Sequence, residues 1–387
     1  MPASNDAMQT LTAQWYNAMV TGLGLSNQSF QLYQGPNSMV TTSQQMWNIF
    51  NAVPPTAVNN YYDPTQANNF APDYNNILVA LVATSDTNFQ TCMGDYYAQW
   101  QTYFQTHQPK TWDSKGISDL FTQWSMMFAP SKSGCVTALT KAFINPINTA
   151  QNMFAAAAGS YAWNQTIDAL QGALAGGANK SFTMDSLTQS SSLSHTWANG
   201  GTSVFFDLFS FGGGADYDTL SQKATSAGLT IKANFKKVTT FAAGPYAQAD
   251  PNNPVLANYN PWYYSAALAT AYTHPNDNTV WNNQSATTWN SAFGPSGFLQ
   301  RMATAIVVAD GIDITITSTA SYSSSEQTQI TSAARVGFWP FFSASGGGGS
   351  NTVVTFNDNG QFTSTTSIAP GNPQTLGILQ SPMSSIF

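Results

Sequence analysis

The sequence predicts an α+β protein with a mainly helical region over residues 1–178 and an antiparallel, β-rich and sandwich-like region over residues 200–387. Three observations predict this class. Apolar residues recur at helical spacing in the first region, whereas alternating β-branched and aromatic runs dominate the second. Clusters of glycine, asparagine and proline separate those runs, as is typical of turns. With 42% hydrophobic and 13% aromatic residues among 387, the chain can bury a large core.

The first region contains a series of predicted helices. The first covers residues 8–24, because Leu11, Trp15 and Met19 recur at helical spacing. Residues 26–76 are rich in proline and glycine, which predicts turns rather than long elements. Further helices are predicted within 74–104, over 117–128, over 135–158 with an interruption at Pro146, and over 161–174.

The second region contains the predicted strands. They cover residues 202–211, 229–241, 304–308, 312–319 and 352–356. Isoleucines alternate with polar residues over 312–319, which predicts a half-buried antiparallel strand. The turn signals at 309–311 and 357–360 are each expected to join two strands. An insertion around 244–300 is predicted to consist of aromatic and asparagine-rich loops with one helix near 262–272.

Charged residues are unusually few. They make up 7% of the chain, the net charge is −7, and lysine and arginine together number 11. The densest basic spot is Lys232, Lys236 and Lys237, which is too small for a nucleic-acid footprint, so we expect no nucleic-acid partner. Glu326 is the only glutamate, which disfavours enzymes that need paired glutamates. A neutral surface of amides and hydroxyls repels other copies weakly and favours association.

The residue types that usually carry chemistry are scattered. His107, His195 and His274 lie far apart in the sequence, and none has the spacing of a metal site. The glycine tracts lack the patterns that cradle phosphate groups, and no serine lies in a nucleophile-elbow pattern. The sequence therefore predicts no metal, no cofactor and no catalytic residue, and we expect that the protein is not an enzyme.

Two pairs of aspartates are the strongest candidates for binding a hard cation. Asp310 and Asp313 flank the turn signal at 309–311, and Asp216 and Asp218 follow a glycine tract. Neither pair continues into a calcium-loop pattern. Closely spaced aspartates in loops are more typical of solvated turns, which is the alternative we favour.

Two segments join a dense aromatic run to a glycine tract. They are candidate contacts with a neighbouring subunit or a membrane if the aromatic side chains are exposed, and buried strands if they are not. The candidate assembly or membrane-contact residues are Phe205, Phe206, Phe209, Phe211, Phe338, Trp339, Phe341 and Phe342.

Aromatic residues in the asparagine-rich insertion could instead bind a carbohydrate. Rings stack on sugar faces, and amides bind sugar hydroxyls. The candidate glycan-stacking residues are Tyr259, Trp262, Tyr263 and Trp281. The alternative is that these rings pack within the loops of the insertion.

The cysteines and the N-terminus bear on the compartment. Cys92 and Cys135 are the only cysteines, and either two buried thiols or one bridge would fit them. The first residues lack the basic and apolar stretches of a signal peptide, and no apolar stretch approaches the length of a membrane-spanning helix. The composition is typical of an extracellular or cell-surface protein that gets there without a visible signal peptide; the alternative is an intracellular inclusion.

These observations lead to one functional expectation and two alternatives. We expect a non-enzymatic protein that associates with further copies of itself into a filament, shell or lattice. The first alternative is a secreted pore-forming or membrane-inserting toxin, which the alternation over 312–325 favours. The second is a carbohydrate-binding module, a class that extends to glycosidases because two aspartates can serve as their carboxylates.

Overall fold

The computed structural model describes residues 3–33, 39–54, 69–83, 87–107, 109–111, 114–143, 146–192, 220, 222–224, 226–332 and 350–387. The chain forms two compact units, each assembled from separate stretches of sequence. The sheet unit comprises Met1–Ala67, Ile167–Ala242 and Ala303–Ser381, and the helical unit comprises Asn68–Thr166, Ala243–Met302 and Pro382–Phe387. The sequence predicts consecutive regions over 1–178 and 200–387, whereas the compact units interleave along the chain.

The predicted α+β class is confirmed, with helices concentrated in the first half of the chain and antiparallel strands in the second. The described α-helices are α1 (Ala3–Leu23), α2 (Ser43–Asn51), α3 (Phe70–Ala80), α4 (Thr87–Met93), α5 (Tyr97–Thr106), α6 (Ser114–Phe128), α7 (Val136–Phe143), α8 (Pro146–Ala156), α9 (Ile167–Ala175), α10 (Ser265–Thr273), α11 (Trp289–Phe293) and α12 (Ser324–Ser332). The described strands are β1 (Phe30–Leu32), β2 (Ala178–Asp185), β3 (Leu229–Ala242), β4 (Arg301–Ser321), β5 (Ser350–Phe356), β6 (Gln361–Ile368) and β7 (Gln374–Pro382).

The described strands form a single seven-stranded sheet, so the two facing sheets expected of a sandwich are not found among them. The strand order is β1-β7-β4-β3-β2. β6 pairs with the C-terminal part of β4, and β5 pairs with the other side of β6. β3 pairs with β4 from Leu229↔Ser318 to Ala242↔Ala305, and β6 pairs with β4 from Ile312↔Ile368 onward. β4 is therefore the central strand of the sheet.

The turn predicted at 309–311 is wrong, because β4 runs through it without a break. Gly311 has a φ of +66°, yet the antiparallel register with β3 continues on both sides of it, at Lys237↔Asp310 and Phe235↔Ile312. The carboxylate of Asp310 accepts the backbone N–H groups of Gly371 and Asn372, at 2.9 and 3.2 Å. The aspartate thus organises the loop after β6 instead of a turn in its own strand.

The turn predicted at 357–360 is confirmed as the hairpin between β5 and β6. Gly360 has a φ of +71°, a left-handed conformation that glycine adopts without strain. The side chain of Asn357 accepts the backbone N–H groups of Asn359 and Gln361, at 3.1 and 2.9 Å. The strands on either side pair in one regular register, from Phe356↔Phe362 to Ser350↔Ile368.

The core of the sheet unit lies under one face of the sheet. Ile312, Ile314 and Ile316 are all buried, as their alternation predicts. Helix α1 packs against β2, where Trp15 lies 5.4 Å from the ring of Phe182. The apolar face of α1 is therefore matched by the apolar face of the sheet.

Two of the aromatic clusters in the helical unit bear on the sequence predictions. In the first, Trp100 contacts Phe121 and Trp124 at 5.0 and 5.5 Å, and a disulfide joins Cys92 to Cys135 beside it. In the second, the buried indole of Trp262 donates a hydrogen bond to the carbonyl of Ala162 at 2.6 Å. The cysteine alternative left open by the sequence is thus resolved as a bridge.

One predicted helix begins later than its apolar pattern suggests. The sequence predicts a helix from residue 161, but α9 begins at Ile167. Trp163 instead forms an isolated antiparallel bridge with Pro245, and the backbone N–H of Asn164 donates to the carbonyl of Gly244 at 2.9 Å. Extended pairing with a distant segment therefore replaces the first turns of the helix.

Candidate interaction surfaces

Each described histidine follows the last residue of a helix and contacts the backbone of that helix. His107 stacks on Tyr103 with ring centroids 3.9 Å apart, and its Nδ1 lies 3.1 Å from the carbonyl of the same residue. His274 has its Nδ1 2.9 Å from the carbonyl of Thr270. His195 lies outside the described residues. Within the described ranges, no three histidine, cysteine or acidic side chains are grouped so that they could hold a metal ion.

The paired aspartates do not converge on a common site. Asp310 and Asp313 lie on either side of Gly311 in β4, and their carboxylates bind different partners. The carboxylate of Asp310 holds the loop after β6, and that of Asp313 accepts a 2.6 Å hydrogen bond from the hydroxyl of Ser367. Asp216 and Asp218 lie outside the described residues.

Three of the four candidate glycan-stacking residues are buried, which makes the expectation of exposed rings wrong for them. Trp262 is 0% exposed, Trp281 is 5% exposed and Tyr263 is 7% exposed. The indoles of Trp262 and Trp281 donate to the backbone carbonyls of Ala162 and Ala271. Tyr259 is half-buried. Trp262 and Tyr263 pack against each other, whereas Trp281 packs against Phe293. These three rings are buried in the helical unit, so their faces cannot receive a sugar.

Both aromatic-glycine segments belong to parts of the chain outside the described residues. All eight candidate assembly or membrane-contact residues lie within 201–219 and 333–349, outside the described residues. They are Phe205, Phe206, Phe209, Phe211, Phe338, Trp339, Phe341 and Phe342. Whether they contact a neighbouring subunit or a membrane stays a prediction.

The solvent-facing side of the sheet carries a regular array of small polar side chains, which we call the polar face. Its rows cross β3, β4, β6 and β5 in the observed register. The rows are Asn234, Asp313, Ser367 and Asn351; Lys232, Thr315, Thr365 and Val353; and Thr230, Thr317, Thr363 and Thr355. Each of these residues is exposed or half-buried.

Hydroxyl and amide groups dominate the polar face. One row consists of threonine on all four strands, and the Oγ1 atoms of Thr315 and Thr365 lie 3.4 Å apart in the adjacent row. Lys232 and Asp313 are the charged side chains of these four strands in the rows, and the row of Thr230 continues to Asp185 on β2. Asp313 already accepts from Ser367. The polar face is therefore nearly neutral, in keeping with the composition of the whole chain.

Strand β5 forms an edge of the polar face. Among the described strands it pairs only with β6. Its sequence, Ser-Asn-Thr-Val-Val-Thr-Phe, contains no charged residue and no proline, the residues that usually protect edge strands from pairing with other chains. Val353 at its centre is 50% exposed. Within the described ranges, the other side of β5 has no neighbouring strand.

A second exposed feature lies at the C-terminal end of α6, and we call it the α6 patch. It consists of Met126, Met127 and Phe128, which are 71%, 58% and 47% exposed. The sequence places Met127 and Phe128 on the same helical stripe as Trp124, but α6 is buried only as far as Ser125 and ends at Phe128. Of the helices that the structure describes, none has the length and apolar character needed to cross a membrane.

A buried aspartate in the helical unit is not predicted by the sequence. Asp73 lies in the first turn of α3, is 8% exposed, and its Oδ2 has no hydrogen-bond partner among the described residues. Burial raises the pKa of this carboxyl from 3.8 to about 7, because desolvation disfavours the charged form. An aspartate near a helix N-terminus is ordinarily an exposed capping residue, so nothing in the local sequence marks this one as buried.

Comparison of the chain with protein-family models, with curated proteins and with solved structures finds no match. What the protein does must therefore be inferred from its own residues. The features from which we propose a function are the polar face, the edge strand β5 and the α6 patch.

Proposed function

We propose that this is a non-enzymatic protein that works by association with further copies of itself, forming a homomeric assembly. The observation that carries the proposal is the polar face. Its rows present threonine, serine and asparagine side chains on four neighbouring strands, with one lysine and one aspartate among them.

The chemistry of the polar face favours contact with a like surface. Burying a neutral hydroxyl or amide costs far less than burying a charge, provided that it regains a hydrogen bond. Hydroxyls both donate and accept, so two hydroxyl-rich surfaces can satisfy one another in many relative positions. The polar face therefore needs no oppositely charged partner.

The charge of the whole chain acts in the same direction. A net charge of −7 spread over 387 residues gives weak repulsion between copies. Association through neutral contacts should persist when salt is raised, because salt screens charge pairs and leaves neutral hydrogen bonds almost unchanged.

Sedimentation velocity and light scattering of the purified protein test the proposal. We expect a mass that rises with concentration above the 41.5 kDa of one chain, at low and at high salt. Thr365→Lys places a charge in the middle of the polar face and should weaken the association. Thr137→Lys is the matched control, because Thr137 is an exposed threonine on α7 in the other unit. A single species of one-chain mass under all these conditions would contradict the proposal.

Membrane contact is a second candidate, and the α6 patch is the observation that favours it. Three consecutive apolar residues with high exposure are uncommon on soluble surfaces, and methionine adapts its shape to soft apolar partners. Vesicle flotation and dye release test this candidate. We expect binding to fall in Met126→Ser/Met127→Ser while the fold is kept, since these are the two most exposed side chains of the patch. Equal binding by the variant, or none by the wild type, would contradict it.

The location outside the cell also stays a proposal. The bridge between Cys92 and Cys135 supports an oxidising compartment, because disulfides seldom persist in a reducing cytosol. Alkylation of free thiols in the protein taken from its native source tests it. Two blocked cysteines are expected, and two reactive ones would favour the intracellular alternative.

A further inference from the structure

The hairpin fixes which backbone groups of β5 face the open edge. The backbone N–H of Asn357 donates to the carbonyl of Gln361 at 3.0 Å, across the end of the β5–β6 ladder. In an antiparallel pair, the residues that bond to the partner alternate with residues whose groups point away. Since the register is unbroken, Asn351, Val353 and Thr355 bond to β6.

The remaining residues of β5 direct their backbone N–H and C=O groups to the open edge. These residues are Ser350, Thr352, Val354 and Phe356. The side chains of Val354 and Phe356 pack against the core of the sheet unit, whereas Val353 lies on the polar face. Among the described residues, the outer edge thus presents backbone groups that no neighbouring strand uses.

We infer that two copies also join edge to edge through β5, as antiparallel neighbours related by a two-fold axis at Val353. This inference rests on the proposed self-association and adds a second contact beside the one through the polar face. An edge strand without charge or proline pairs readily with another strand, and pairing with itself requires only that its sequence be self-complementary.

The register follows from the sequence of the strand. With the axis at Val353, all seven residues of β5 are paired, and Val353 meets Val353 of the second copy. Thr352 then exchanges backbone hydrogen bonds with Val354 of the second copy, which uses the outward-facing groups. A shift of the axis by one residue leaves an end of the strand unpaired and places Val353 opposite a polar residue.

The charged side chains of the polar face would stay far apart in this arrangement. Asp313 lies on β4, two strands from the edge and in the row of Asn351, so the two copies of Asp313 would be about 28 Å apart at ordinary strand spacing and rise per residue. That distance exceeds the Debye length of roughly 8 Å at physiological salt. The two copies of Lys232 would be farther apart still. Joining therefore extends the polar face across both copies without opposing like charges.

Disulfide trapping tests the predicted pairing. The central pair does not exchange backbone hydrogen bonds, and the Cα atoms in such a pair lie about 4.5 Å apart, within reach of a disulfide. The native cysteines are both bridged, so a new cysteine has no competitor. Val353→Cys should form a covalent dimer under mild oxidation.

Matched variants make the test specific to the register. Asn351→Cys should not cross-link with itself, because the two Cα atoms would be roughly 14 Å apart. Asn351→Cys combined with Thr355→Cys should cross-link, since these residues face each other across the axis. Val353→Lys places two like charges opposite each other and should weaken dimer formation at least about tenfold. Circular dichroism and thermal melting check that each variant folds.

The outcomes separate this inference from the proposed function. If the wild type associates while Val353→Cys forms no covalent dimer and folded Val353→Lys associates as the wild type does, the role of β5 is overturned and self-association stands. Cross-linking of Asn351→Cys alone would overturn the register. If the wild type stays monomeric at every concentration, the proposed function and the inference both fail.

Discussion

At the scale of single residues, Asp73 makes the stability of the helical unit depend on pH. Its pKa of about 7 in the folded state lies above the ordinary value of 3.8. The folded chain therefore holds a proton that the unfolded chain has lost between those two values, and stability falls as the pH rises through that window. The difference corresponds to up to roughly 4 kcal/mol of unfolding free energy above pH 7. Helices α8 and α10, which pack against α3, contain no charged side chain that could pair with the carboxylate.

Asp73→Asn removes the titrating group without changing its shape. We expect the variant to be about 1–3 kcal/mol more stable than the wild type near pH 8 and nearly equal to it near pH 4. Urea unfolding at both pH values measures this, with Asp95→Asn, at an exposed position, as the control for removal of one carboxylate. The same effect at both pH values would contradict the assignment.

The disulfide is a second determinant of stability at this scale. Cys92 and Cys135 are 43 residues apart in the sequence, so their bridge restricts a long loop in the unfolded chain. Cys92→Ser combined with Cys135→Ser should lower the unfolding free energy by about 2–4 kcal/mol. A reductant should lower the stability of the wild type to that of the double variant and leave the variant unchanged. Unfolding curves with and without reductant check this, and no shift in either would contradict it.

At the scale of elements, three glycines differ in how well their surroundings would accept a Cβ atom. Gly360 and Gly311 both have positive φ values, but a Cβ on Gly360 would lie 2.5 Å from the carbonyl of Tyr322, whereas on Gly311 it would meet the side chain of Lys236. Gly360→Ala should therefore destabilise the protein by about 2 kcal/mol or more, and Gly311→Ala by about 1–2 kcal/mol. Gly172→Ala, in α9 with open space around it, should be stabilising by roughly 0.5–1 kcal/mol. Thermal or urea unfolding gives the order, and an equal loss at Gly311 and Gly360 would contradict it.

The elements that sequence could predict are those with strong local signals. The alternation over 312–319 and the hairpin at 357–360 are both observed, because side-chain period and turn chemistry act locally. Helix α2, which lies in the region predicted as turns, also has a local sequence signal at its N-terminus. Thr42 and Gln45 form a capping box, with the threonine hydroxyl accepting the Gln45 N–H at 3.2 Å.

The elements that sequence could not predict depend on distant partners. Asp310 and Gly311 resemble a turn locally, and only the uninterrupted pairing of β4 with β3 shows that they lie within a strand. The polar face is similar, since each strand shows its own threonines but their alignment into rows needs the register between strands. The burial of Trp262 likewise follows from the clustering of rings far apart in the chain.

At the scale of the whole molecule, the small net charge predicts how association responds to pH. The chain carries −7 near neutral pH and has an isoelectric point near 4.6. Lowering the pH toward that value removes the remaining repulsion between copies, so association should tighten. Light scattering across this range at fixed concentration measures it. A mass that decreases as the pH approaches 4.6 would show that charge pairs, rather than neutral contacts, hold the copies together.

The pairing of β1 with β7 has a consequence during protein synthesis. Phe30 lies opposite Leu379, and the backbone N–H of Gln380 donates to the carbonyl of Ser29 at 2.8 Å. At ribosomal speeds of about 5–20 residues per second, β1 leaves the ribosome on the order of tens of seconds before its partner strand exists. The apolar residues of β1 stay uncovered on that side throughout this interval. The order of strands in the sheet thus determines how long β1 must wait for its partner strand during synthesis.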